Sequence, residues 1–145
     1  MALRWKPYCW KEPRPVAPQE IERLERQWGV KLPEEYKHVA SAYQGMTPEP
    51  CAFDVGDGND VFNALLPIIG DEEARVCSVR EAHETLEPHL PAGIHPFANT
   101  PGGEFICFDY RDSPEQPKVV HVSVELSITP VAESFRDFLE SLYDS

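Results

Sequence analysis

Apolar residues recur at helical spacing over the first third of the chain and change to short, strand-like runs after Gly45. Ile21, Leu24 and Trp28 share one face of a first helix. Pro18 suits its first turn, Glu20 and Glu22 favour its positive end, and Gly29 stands where a C-terminal cap belongs. A second helix is predicted from Pro33, with Tyr36, Val39, Ala40 and Tyr43 on its inner face and Gly45 at its end. The short link makes a helical hairpin whose apolar faces need a sheet to cover them. Residues 46–50, with Pro48 and Pro50, read as a loop. Cys51–Val55 and Val61–Leu66 read as strands about the turn Gly56-Asp57-Gly58-Asn59.

Ser78-Val-Arg-Glu81 has the form of a capping box and opens a third helix, with Val79, Ala82 and Leu86 inward and Pro88 and Pro91 stopping it. Ile94–Ala98 reads as a strand. Glu104–Tyr110 is dense enough in apolar residues to be a central strand covered on both faces. Lys118–Glu125 alternates, with Val120, Val122 and Val124 on one face and His121 and Ser123 on the other. A short strand over Ile128–Pro130 leads to a last helix capped by Ser134 and Asp137, with Phe135, Phe138, Leu139 and Leu142 as its apolar stripe. The expected fold class is α+β, a single domain with a helical hairpin and further helices on a mostly antiparallel or mixed sheet. Residues 1–17 are expected to form a basic aromatic arm and residues 18–145 the domain. Pro7, Pro13 and Pro15 discourage regular structure in the arm, and Trp5, Tyr8 and Trp10 are apolar enough to dock on the body.

Charge changes the picture more than composition does. The chain carries 25 acids against 13 bases, a net of −12. The first 16 residues hold Arg4, Lys6, Lys11 and Arg14 against Glu12, a net of +3, so residues 17–145 carry −15. Such a surface repels nucleic acid and anionic membrane and attracts cationic partners. No apolar run reaches the ~18 residues of a membrane span, and the start lacks the apolar stretch of a secretory signal. A cytoplasmic protein with no nucleic-acid or membrane partner is the expectation. Cys9, Cys51, Cys77 and Cys107 are too scattered for a metal motif or a disulfide scaffold and read as free thiols.

Candidate chemistry is sparse. Asp54-Val-Gly-Asp-Gly-Asn-Asp60 invites a calcium-loop reading, which needs Gly at the sixth position and Glu at the twelfth. Counting from Asp54 gives Asn59 and Leu65, and from Asp57 gives Phe62 and Ile68, so both registers fail. His83, His89 and His95 are spaced by six, which on one helix rotates each away from the last. Cys107 lies in an apolar strand, where a thiolate is disfavoured. Gly102-Gly103 lacks the remaining elements of a phosphate loop. Glu104 and Asp109 form a carboxylate pair only if the fold brings them together. The reading is therefore no enzyme, no catalytic residue, no cofactor and no metal.

The order of motifs is more specific than any one of them. Ile21-Glu-Arg-Leu-Glu-Arg-Gln-Trp-Gly-Val-Lys-Leu-Pro-Glu-Glu-Tyr36, closed by Tyr43-Gln-Gly45, resembles the opening of the SUKH superfamily. Ile94-His-Pro-Phe-Ala-Asn-Thr-Pro-Gly-Gly-Glu-Phe-Ile-Cys-Phe-Asp109 resembles its central strand–turn–strand signature. Val119-Val-His-Val and Val131-Ala-Glu-Ser-Phe-Arg-Asp-Phe-Leu139 resemble its closing strand and helix. Gln44 departs from the usual Asn, His121 stands at a position that is often aromatic, and the arm lies outside the pattern.

The resemblance implies an immunity protein of a polymorphic-toxin, contact-dependent or type VI secretion system. Such a protein neutralises a cognate toxin domain, often a nuclease, by binding it. A nuclease must be basic to hold its phosphate substrate, so an acidic inhibitor can compete for the same surface. The candidate contacts are the turn and loop acids Asp54, Asp57, Asp60, Asp71, Glu72, Glu73, Asp112 and Glu115. The alternative is an intracellular regulatory or adaptor module of the same fold with a non-toxin partner. Monomer and homodimer are both open.

Overall fold

The computed structural model describes residues 3–69, 74 and 76–144. Helix α1 spans Pro18–Trp28 and α2 spans Glu34–Tyr43. Gly29 ends α1 in the left-handed conformation (φ 69°), and its N–H reaches back to Glu25 O at 2.8 Å. Glu25 then fixes the link between the helices. Its carboxylate accepts the Leu32 N–H at 2.7 Å and pairs with Lys37 Nζ at 3.2 Å. Helix α3 spans Val79–Leu86 behind the full Ser78–Glu81 capping box, and a 3-10 turn follows over Glu87–His89. Helix α4 spans Phe135–Ser141, with the Ser134 hydroxyl accepting from Asp137 N–H.

Strands β5 (Ala64–Leu65), β6 (Ile94–Asn99), β7 (Phe105–Asp109), β8 (Lys118–Val122) and β9 (Ile128–Ala132) form an antiparallel sheet in chain order. Pro96 and Pro130 sit beside register shifts in β6 and β9, where a missing N–H is tolerated. The central strand β7 is covered on both faces, as its apolar run predicts. Ile106 and Phe108 join the large core under the helices. Cys107 joins a smaller cluster with Leu86, Ile94, Val120 and Val122.

Two ribbons complete the fold and differ from the sequence reading. Residues 46–50 are not simply a loop, because β2 (Met46–Glu49) pairs antiparallel with β1 (Arg4–Pro7) from the arm. Pro48 is tolerated because this ribbon is only two strands wide. The second ribbon pairs β3 (Ala52–Val55) with β4 (Gly58–Val61), so the strand predicted over Val61–Leu66 is split between β4 and β5. Strand β8 also stops three residues early. Val124 leaves the sheet and is 67% exposed, while His121 is buried on the face it shares with Val119.

Tyr36 stands at the centre of the core. It is fully buried, and Phe97, Phe108 and Phe135 pack edge-on around it with centroids at 6.0, 5.1 and 5.6 Å. Among the described residues its hydroxyl has no hydrogen-bond partner, and burial pushes the phenol up from its ordinary value. Along the seam where α3 meets β6, the rings of His95, Trp28 and His83 form a triangle, with His95 4.6 Å from each of the others and Trp28 5.2 Å from His83. Sequence spacing set these histidines apart on one helix. They meet because His83 is on α3 and His95 is on the strand beneath it. Burial, with His83 alongside, pushes the His95 imidazole down to about 4.

Gln44 and Gly45 join three segments. The Gln44 amide is buried. It donates to Arg14 O at 2.9 Å and accepts the N–H groups of Ile68 and Ile69 at 2.8 and 3.1 Å. Gly45, at φ 76°, donates to Leu65 O at 2.7 Å and accepts Cys9 N–H at 2.9 Å. A Cβ there would lie 2.7 Å from the Trp10 ring, so only glycine lets the arm close.

Three outcomes follow from this packing. Gln44→Ala strands buried backbone groups and lowers unfolding free energy by about 2–4 kcal/mol, read from urea midpoints. Tyr36→Phe removes an unsatisfied hydroxyl and leaves stability within about 1 kcal/mol of the parent or raises it, whereas Tyr36→Ala costs about 3–5 kcal/mol in the same measurement. His95 is depressed in the fold relative to its ordinary 6.5. The unfolded chain therefore takes up a proton that the native chain refuses, so this share of stability is complete above about pH 6.5 and is lost toward about pH 4. The urea midpoint of the parent falls between about pH 6.5 and 5, and His95→Phe flattens that fall.

Candidate functional site

The β3–β4 hairpin carries three of the candidate acids on a rigid mount. Gly56, at φ 56°, makes its tight turn. Tyr143 closes its base by exchanging backbone hydrogen bonds with Ala52 at 2.9 and 3.0 Å. Asp54 is exposed on β3 and accepts the Tyr143 hydroxyl at 2.7 Å. Asp57 is exposed at the turn.

Asp60 differs from the other two. It stands in β4 rather than in a loop, is half-buried, and takes His121 Nε2 at 2.8 Å on its Oδ2. Its Oδ1 accepts the Val61 N–H at 2.8 Å. His121 lies beneath the hairpin beside Phe53, with centroids 6.3 Å apart. This pair therefore fastens the hairpin to the sheet, and Asp60 is less available to a partner than its neighbours.

Asp112 and Glu115 are exposed in the β7–β8 loop. Lys118 Nζ reaches Asp112 at 3.3 Å, and the Ser113 hydroxyl accepts the Glu115 N–H. Lys118 pairs with Asp109 at one end of β7 and β8, while His121 pairs with Ile106 toward the other. The candidate acids thus form two separate groups. Asp71, Glu72 and Glu73 lie outside the described residues.

Sequence reasoning missed an apolar feature. Val124 (67% exposed) and Leu126 (38% exposed) stand in the β8–β9 turn, at the same end of the sheet as His121. Leu126 holds φ 69°, uncommon for a leucine. Ser123 organises the turn by accepting the N–H groups of Glu125 and Ser127 through its hydroxyl. The Ser-x-x-x-Ser spacing with a charge between was the available signal, and the alternation of valines concealed it.

The remaining candidates have structural partners. Glu104 and Asp109 lie at opposite ends of β7 and do not form a pair. Burial would raise the Asp109 carboxyl, but the Arg111 fork at 2.8 and 3.0 Å holds it below its ordinary value. Burial pushes up the thiols of Cys51, Cys77 and Cys107, so none is primed as a thiolate. No described helix is long and apolar enough to cross a membrane.

The SPbeta prophage-derived uncharacterized protein YokK of Bacillus subtilis (strain 168) is 25% identical over 150 residues, covering 87% of this chain and 74% of its own. The profile of the SMI1 / KNR4 family (SUKH-1) matches residues 15–141, which take in both opening helices, the Gln44–Gly45 junction, the antiparallel sheet and α4. The chain belongs to the SMI1 / KNR4 (SUKH-1) family.

Proposed function

We propose that this protein is an immunity protein that binds a cognate secreted toxin domain in the cytosol and blocks it without catalysing a reaction. The observation that carries the reading is the exposed acidic hairpin on a body of charge −15. Asp54 and Asp57 are presented on a backbone clamped by Tyr143 and by the Asp60–His121 pair, so little ordering is needed when a partner arrives. A basic nuclease surface is the natural complement. Val124 and Leu126 supply apolar contact at the His121 end of the sheet, which interfaces use beside a polar rim. Asp112 and Glu115, at the other end, add to the attracting field rather than to the contact.

The membership in a family commonly made of toxin antidotes supports this reading. The test is co-purification with the toxin domain encoded beside this gene, followed by binding kinetics. A stable complex that abolishes toxicity is expected, with an association rate that falls steeply as salt rises. Asp54→Asn with Asp57→Asn keeps the acceptor for Tyr143 and weakens binding at least about tenfold, near 1.4 kcal/mol. Asp112→Asn with Glu115→Gln mainly slows association. A toxin that is never bound, or whose binding ignores both salt and the hairpin acids, overturns the reading.

A further inference from the structure

We propose that Asp60, Glu104 and His121 form a binding site for one divalent first-row transition ion of the Mn²⁺ or Zn²⁺ kind. The three residues come from β4, from the turn before β7 and from β8, and one ligand atom of each lies within 4.8 Å of the others. The fold brings them together by register. Ile106 pairs with His121, and Glu104, two residues before Ile106, falls on the same face of the sheet. The β3–β4 hairpin then lays Asp60 over that face.

The local charge calls for a cation. Two carboxylates share the site, and among the described residues no Lys or Arg pairs with either of them. The His121 imidazole, 6% exposed, is their basic neighbour among the described residues, and its Nε2 engages Asp60. Each carboxylate is also held from behind. Asp60 Oδ1 accepts the Val61 N–H at 2.8 Å, and Glu104 Oε1 accepts the hydroxyl of buried Thr100 at 2.7 Å. Hydrogen bonds of this kind orient metal-binding carboxylates.

Gly102 contributes by having no side chain, since a Cβ there would come within 2.9 Å of Glu104 Oε1 and displace the carboxylate. One imidazole nitrogen with two carboxylates is a nitrogen–oxygen set that suits Mn²⁺ or Zn²⁺ better than Ca²⁺, which prefers oxygen alone. Ligand distances of about 2.0–2.2 Å require the three atoms to draw together, which the Glu104 side chain can provide. A bound ion would cross-link the hairpin to the sheet through three segments distant in sequence. The site requires no partner protein, so it stands or falls separately from the immunity reading.

The test uses the full chain freed of metal by chelation and titrated calorimetrically with MnCl₂, ZnCl₂ and CaCl₂. Saturable one-to-one binding of Mn²⁺ and Zn²⁺ is expected in the micromolar range, with Ca²⁺ at least about tenfold weaker. Glu104→Gln keeps the hydrogen-bond acceptor for Thr100 and lowers Mn²⁺ affinity at least about tenfold while the metal-free melting temperature holds. The His121 imidazole resonances shift on adding Zn²⁺, which separates this site from binding at the thiols. His121→Ala abolishes the site but also loosens the hairpin, so Glu104→Gln is the deciding variant. Absence of saturable binding below about 1 mM, or Glu104→Gln binding both ions as the parent does, refutes the site.

Discussion

The side-chain amide of Gln44 is the contact on which the arrangement of this protein turns. It is buried and bonds to backbone on both sides, toward Arg14 in the arm and toward Ile68 and Ile69 beyond β5. Buried backbone groups must find partners, and here one side chain serves three of them. Gly45 completes the junction by handing one hydrogen bond to Leu65 and taking another from Cys9. The end of α2, the first strand of the sheet and the N-terminal arm are therefore positioned together. The resemblance in sequence leads one to expect Asn at this position, and the departure has a physical counterpart. Gln has one more methylene with which to span the arm and the chain beyond β5.

Elements punctuated by local chemistry were legible from the residues alone. Gly29, the Ser78–Glu81 box and Ser134 mark helix ends by hydrogen bonds made within a few residues, and each stands where its pattern places it. What escaped the reading was long-range. Strand β2 exists because residues 4–7 come back to pair with it, and nothing inside 46–50 announces that. The His83–His95 stack arises because α3 lies on β6, a relation that sequence spacing does not encode. For the candidate site, the acids were legible as acids but their orientation was not. Whether an Asp faces solvent like Asp57 or a histidine like Asp60 depends on the pleat and on what the hairpin covers.

The two ends of the sheet have different characters as a result. At the end of β7 and β8 that holds Asp109 and Lys118, Asp109 and Asp112 have cationic partners in Arg111 and Lys118. At the other end, Asp60 and Glu104 have, among the described residues, only an imidazole as a basic neighbour, while Asp54 and Asp57 face outward and an apolar turn stands on that side. Negative charge left without basic partners costs little stability on an exposed hairpin and provides long-range attraction. This asymmetry, rather than the total charge, gives the surface a direction.

The bridge between Ala52 and Tyr143 also sets an order of events during synthesis. The meander from β5 to β9 can assemble as it emerges, because each strand pairs with the next in the chain. The acidic hairpin is made early, yet the residue that closes its base is translated some ninety positions later, about 5–20 s at ribosomal speed. A nascent or prematurely ended chain thus carries the charges without their seat. The clamped form of the hairpin belongs only to chains that have been translated through Tyr143.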